Sequence, residues 1–233
     1  MPGHTSSTPP EMHSETPVVV FDFDLTLTAW DTAGRFFRWL LLREAWRLGL
    51  VLAALPALGL LLIAKSTRKG PVRFAVWVAT LGRTQQDLRV LARRHAQLVF
   101  SKAPPVFFRD GLTRLQFHLE QGHTVVIATG CLEVLAKELL SRAGFGHIAL
   151  VGSTLRPFLG GMAPHRHCFG QNKVPMLTER GFAPPWAFGY SDSESDLPVL
   201  HHCRESYLIN AEATCVVRVG QRVAGKVSSL AWQ

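Results

Sequence analysis

Asp22 and Asp24 stand two residues apart in the string FDFDLTLT, directly after the apolar run PVVV. Two carboxylates at the end of a buried strand repel one another, so a cation is expected beside them. Oxygen donors suit Mg²⁺, which keeps several waters and takes few protein ligands. Asp192 is the natural further carboxylate, giving a donor set of Asp22, Asp24 and Asp192, with Asp24 contributing a backbone carbonyl. With phosphate charge shielded, Asp22 can attack phosphorus as a nucleophile, and Asp24 can protonate the leaving oxygen and then activate water. In VVIATG, Thr129 and Gly130 end the next strand, where a hydroxyl and bare N–H groups at a helix start can hold phosphate oxygens. Lys173 follows the glycine-bearing stretch CFGQN and can bridge carboxylate and phosphate. In GYSDSESDLP, Asp196 stands four residues after Asp192 and can support a metal ligand from behind. An isolated Asp-x-Asp usually just caps a loop, and Thr-Gly is usually a turn. The buried strand before FDFD and the order of the four elements favour the chemical reading.

These residues require a scaffold that gathers strand ends. The spacing predicts strands at Pro17 to Asp24, His123 to Thr129, Ile148 to Val151, Trp186 to Tyr190 and Tyr207 to Ile209. Helices are expected around Leu112 to Glu120, Leu132 to Ala143 and Val174 to Arg180, with a hairpin turn at Gly160-Gly161. Alternating strands and helices imply an α/β fold, a Rossmann-like mostly parallel sheet with helices on both faces, and ligands at the carboxyl ends of its strands. Residues 31–103 lack strand alternation and read as a helical cap inserted after the first strand. The core is then 17–30 together with 104–233, and polar, proline-bearing residues 1–16 read as a disordered leader with no signal-peptide pattern.

The chain has 233 residues, 47% hydrophobic and 18% charged, enough to bury a core and unlike a disordered or fibrous chain. Its formal net charge of +8 calls for an anionic partner. The charge is concentrated: fourteen of the 25 Lys and Arg lie between Asp31 and Asp110, against four of the 17 acids. No nucleic-acid motif or stacking pattern accompanies it, so no nucleic-acid partner is expected. The four cysteines are widely spaced and form no Cys-x-x-Cys pair, which suits a reducing compartment. His165-x-His167-Cys168 lacks a second zinc-like cluster and reads as a solvated loop, and Cys131 reads as structural.

Together the four motifs resemble the haloacid dehalogenase superfamily, specifically its phosphoserine phosphatase-like branch. The resemblance implies a Mg²⁺-dependent phosphatase with Asp22 as nucleophile and Asp24 as acid/base. It further implies Thr129 as the second motif, Lys173 as the third, and Asp192 with Asp196 as the fourth. One departure is Leu25, where the family commonly has Gly; Thr26 is retained. The inserted stretch, GRFFRWLLLREAWRLGLVLAALPALGLLLIAKS followed by FAVWVATLG, resembles the cap of a membrane-associated branch that dephosphorylates phosphatidylglycerophosphate. That implies an anionic phospholipid substrate and a location at the cytoplasmic face of the cell membrane.

The apolar block itself, Leu48 to Ala64, is uncharged for 17 residues, or about 25 Å as a helix against a bilayer core of about 30 Å. A single crossing would separate the first strand from the rest of the sheet. A re-entrant or interfacial hairpin over residues 48–64 is therefore expected, kinked or broken at Pro56 and flanked by Arg43, Arg47, Lys65, Arg68 and Lys69 among headgroups. The competing expectations are a soluble small-metabolite phosphatase of the same fold, and a non-catalytic membrane- or nucleic-acid-binding module.

Overall fold

The computed structural model describes residues 16–63, 70–101 and 105–233. The leader, Ala64, Lys65, Arg68, Lys69 and Lys102 lie outside the described residues, apart from Thr16. Strand β1 (Val18–Phe21) is followed by four helices, α1 (Thr32–Leu42), α2 (Ala45–Ile63), α3 (Gly70–Thr80) and α4 (Gln85–Phe100). The chain continues through α5 (Arg109–Glu120), β2 (Thr124–Leu132), α6 (Glu133–Arg142), β3 (Ala149–Phe158) and β4 (Gly161–Arg166). It ends with α7 (Lys173–Glu179), β5 (Trp186–Ser191), α8 (Leu197–Leu200), β6 (Cys203–Ile209), α9 (Ala213–Gly220) and β7 (Lys226–Leu230).

The seven strands form one sheet in the order β4-β3-β2-β1-β5-β6-β7, parallel except for the β3/β4 hairpin. Val19, Val20 and Phe21 are buried because β1 lies between β2 and β5 with helices over both faces. From β1 the chain builds outward through β2 and β3, then returns to place β5 on the other side of β1. The strand order reverses there, and the carboxyl ends of β1 and β5 form the crevice where such sheets bind ligands.

Beneath that crevice is an aromatic stack. Tyr190 lies flat against Phe21 at 4.3 Å and against Tyr207 at 4.9 Å between centroids. Its hydroxyl is 2.8 Å from His118 Nε2, and His118 Nδ1 is 2.9 Å from His123 Nδ1. The Tyr190 carbonyl accepts the Asp22 N–H at 2.8 Å, so this layer fixes the height at which the first carboxylate leaves the sheet.

The cap is tied to the core through the hairpin. Leu159 and Gly160 both have positive φ, 43° and 74°, and make the two-residue turn whose twist suits adjoining strands. The Trp77 indole N–H of α3 lies 3.2 Å from the Phe158 carbonyl and 3.1 Å from that of Leu159. Gly161 must be glycine here, since a Cβ would come within 2.9 Å of Trp77. The Met162 N–H donates to Thr80 Oγ1, and the Gly82 N–H donates to the Gly160 carbonyl. At the other side of the cap, buried Arg47 donates to the carbonyls of Val78 and Leu81 and pairs with Glu44, fastening the start of α2 to the end of α3.

Several elements differ from expectation. Helix α2 runs through Pro56 without a break. Strand β3 extends to Phe158, far beyond Val151, because the hairpin lengthens it away from the parallel sheet. Strand β7 and helix α9 were not expected: Lys-Val-Ser-Ser-Leu on an edge carries too little apolar alternation to read as a strand. Among the described residues no helix is long and apolar enough to cross a membrane.

Burial holds His118 neutral, reinforced by the neighbouring charges of His123 and Arg114, and lowers its pKa to about 4. A depressed histidine contributes stability that is fully present above the unfolded value near 6.5 and lost as pH falls toward 4. His118→Gln is therefore expected to lower Tm more at pH 7.5 than at pH 4, as thermal melts of both proteins across that range will test.

Candidate active site

Asp22 follows β1 and Asp192 follows β5, so adjacent parallel strands deliver both carboxylates to one point. Asp22, Asp24, Gly130, Lys173 and Asp192 all line one cavity of about 470 Å³. Lys173, at the start of α7, is buried and donates to Asp22 Oδ1 at 2.6 Å and to Asp196 Oδ2 at 2.7 Å. Asp196 Oδ2 also accepts from Ser191 at 2.8 Å, while Asp22 Oδ2 accepts from Thr26 at 3.2 Å. Asp196, expected behind the metal ligand Asp192, is bonded instead to Lys173 and Ser191.

The electrostatics follow from burial. Desolvation raises Asp22 to about 7, opposed by Lys173 and reinforced by Asp196 and Asp192. Burial raises Asp24 to about 6, opposed by hydrogen bonds from Thr32. Asp192 is also raised, by burial and then by Asp196. Burial alone would lower Lys173, but Asp22 and Asp196 outweigh it and hold the ammonium charged. Four carboxylates thus surround one ammonium in a poorly solvated site, a set of oxygen donors with surplus negative charge that fits a hard divalent cation.

The structure also decides how Asp24 and Thr129 are held. The Asp24 carboxylate is engaged by α1: Oδ1 accepts the Thr32 N–H at 3.0 Å and the Thr32 hydroxyl at 2.6 Å. Among the described residues no three acidic, His or Cys side chains form a ready metal-holding group. A cation would therefore rely on Asp22 and Asp192 as side chains, with Asp24 limited to its carbonyl. Thr129 and Gly130 also do not open a helix, because β2 continues to Leu132 through an irregularity after Ala128 and α6 starts at Glu133. Thr129 Oγ1 accepts the Cys131 N–H at 2.9 Å, and Gly130, not Thr129, lines the cavity.

Sequence reasoning missed Thr32 and Ser191, which had no signal beyond being hydroxyls near an element's end. It also missed the cavity's side walls: Phe37 from α1, Val72 and Val76 from α3, and Thr154, Arg166 and His167 from the root of the β3/β4 hairpin. Leu25 has φ 59°, the left-handed conformation that glycine adopts freely, and is 46% exposed at the cavity. The turn expected of the family's Gly is thus present, at a strain of about 1–2 kcal/mol for a residue with a Cβ. Strain held at a site of this kind points to a role in function.

The topology is a mostly parallel α/β sheet with helices inserted after its first strand and a buried carboxylate centre at its strand ends. The chain belongs to the haloacid dehalogenase-like hydrolases, whose family model matches residues 19–201. In fold it is similar to a protein of unknown function from Bordetella pertussis Tohama I, with TM-score 0.66 and 18% identity over 91% of this chain and 98% of that one. It is also similar to a phosphoserine phosphohydrolase-like protein from Francisella tularensis SCHU S4, with TM-score 0.58 and 12% identity over 91% and 94%. A substrate-bound phosphoserine phosphatase matches at TM-score 0.55 and 10% identity over 91% and 93%.

Lys173→Met leaves Asp22 and Asp196 buried without their cation. It is expected to cost about 3–5 kcal/mol at pH 7.5, partly recovered toward pH 5 as a carboxylate takes up a proton, and urea unfolding at the two pH values measures both. Leu25→Gly relieves the strained turn and is expected to hold Tm or raise it by about 2–4 °C, while weakening substrate affinity. A melt and a KM determination on the same protein test it.

Proposed function

We propose that this protein is a Mg²⁺-dependent phosphatase of a lipid phosphate monoester. The reaction is phosphatidylglycerophosphate to phosphatidylglycerol at the cytoplasmic face of the cell membrane, the activity of phosphatidylglycerophosphatase C. The observation that carries the reading is that two packed cap helices, α3 and α2, join the reaction cavity to an apolar surface. Val72 and Val76 of α3 line the cavity, and α3 packs beside α2, whose Leu48, Leu50, Leu52 and Leu55 are exposed. A polar amino-acid ester gains little from walls of Phe37, Val72 and Val76, whereas hydrocarbon does.

Beside α2 the cap carries Arg43 over Trp39 at 4.7 Å and an exposed Trp46, whereas Arg47, expected among headgroups, is buried against Glu44 and the carbonyls of Val78 and Leu81. Aromatic rings with adjacent cations suit the headgroup layer of an anionic bilayer. A helix lying in the interface needs no crossing, consistent with a core whose strands must stay on one side.

In the reaction, Asp22 attacks phosphorus and becomes an aspartyl phosphate, while the alkoxide of the departing glycerol takes a proton from Asp24. Thr32 orients that carboxyl, and burial sets its pKa near 6, where one group can serve as acid and then as base. Asp24 then withdraws a proton from water, which attacks the acyl phosphate and returns Asp22 to its carboxylate. Lys173 favours ionised Asp22 and offsets charge on the phosphate. Mg²⁺, held by Asp22, Asp192 and the Asp24 carbonyl, would neutralise phosphate oxygens when bound.

The test is phosphate release by detergent-solubilised protein, comparing phosphatidylglycerophosphate with phosphoserine and with simple phosphate esters. Selective lipid turnover is expected, abolished by EDTA, restored by Mg²⁺, and reduced by at least about 10³-fold in Asp22→Asn. Turnover of soluble esters alone would make the protein a small-metabolite phosphatase. No turnover of any ester would leave a membrane-binding module.

A further inference from the structure

The root of the β3/β4 hairpin brings Thr154, Arg166 and His167 to one wall of the cavity. Thr154 pairs with Arg166, while the next residue of β3, Leu155, pairs with Pro164, so His165 is an extra residue in β4. A bulge of this kind re-aims side chains, and Thr154, Arg166 and His167 all line the cavity as a result. Thr154 Oγ1 is buried and has no hydrogen-bond partner. A hydroxyl sealed from water without a partner is costly, and a ligand group is the partner this position lacks.

His167 is oriented from below. Buried Ser153 Oγ accepts the Cys168 N–H at 3.1 Å and lies 3.1 Å from His167 Nδ1. The Cε1 edge of the ring lies 3.9 Å from where a Cβ would stand on Gly130, which places the imidazole beside the reacting-phosphate position. Arg166, paired with Glu179 at 2.5 Å, adds positive charge at the rim. A second chamber of about 240 Å³ shares Leu132, Ser153, Thr154 and Leu155 with the reaction cavity and carries Gln85 and Arg89 of α4.

The geometry points to a subsite for a second, non-reacting anionic group of the substrate, a phosphodiester one short linker away from the phosphate that is cleaved. Thr154 brings a hydroxyl, His167 an imidazole and Arg166 a guanidinium shared with Glu179, groups able to donate to an anion that accepts hydrogen bonds and stays bound through the reaction. This rests on the proposed phosphatase reading and adds what selects the substrate: the hairpin reads the diester, while α1 and α3 face hydrocarbon.

The test uses two water-soluble monoesters, glycerophosphoglycerophosphate, which keeps the diester, and glycerol 3-phosphate, which lacks it. The wild type is expected to prefer the diester-bearing compound in kcat/KM. Thr154→Val is expected to reduce that preference about tenfold, mainly through KM. His167→Asn should reduce it similarly, and Thr154→Ser should retain it, with melts confirming that each variant folds. Parallel loss on both compounds, or an unchanged preference in Thr154→Val and His167→Asn, would overturn the subsite, as would a wild type that shows no preference. A wild type that prefers the diester yet ignores the intact lipid would leave the subsite standing and remove the lipid reading.

Discussion

Lys173 lies 2.6 Å from Asp22 and 2.7 Å from Asp196, with all three side chains nearly sealed from water. Burying two carboxylates side by side as anions is costly, and the ammonium between Asp22 and Asp196 offsets that cost. The remaining contacts around this pair extend the same logic. Ser191 and Thr26 supply further donors, Thr32 holds Asp24, and burial leaves Asp22, Asp24 and Asp192 with raised pKa values. The surplus negative charge is what makes room for a divalent cation and, through it, a phosphate.

That charged centre is held in place from two directions. The stack of Phe21, Tyr190 and Tyr207 sets the strand ends from below, and the Tyr190 carbonyl holds the Asp22 amide. From above, the cap is not a free lid. Trp77, Thr80 and Gly82 bond it to the β3/β4 hairpin, and Thr32 bonds it to Asp24. The cavity therefore has walls of different character, apolar where α1 and α3 face it and hydrogen-bonding at the hairpin root. Substrate choice in this fold follows from those walls, since the carboxylate centre serves any phosphate ester equally.

The sequence by itself determined the sheet-forming segments, the helical insertion, and most of the residues that meet at the cavity. Each left a local signature: apolar β-branched runs ending in acid for Asp22, and a charged turn after a strand for Asp192 and Asp196. Thr129 reads in the sequence as a strand end, but β2 continues past it to Leu132 and its hydroxyl accepts the Cys131 N–H, beside a β2 irregularity that no local pattern records. Helix α2 persists through Pro56, where the local rule predicts a kink or break. Only the tertiary structure decided that Thr32 controls Asp24, that His167 rests on Ser153, and that Thr154 is left without a partner. These are relations between residues 8 to 14 positions apart or on different elements, and they depend on where a bulge and a helix start aim each side chain. Residue type and periodicity fix which face a side chain occupies, but which atom it meets is settled by long-range packing.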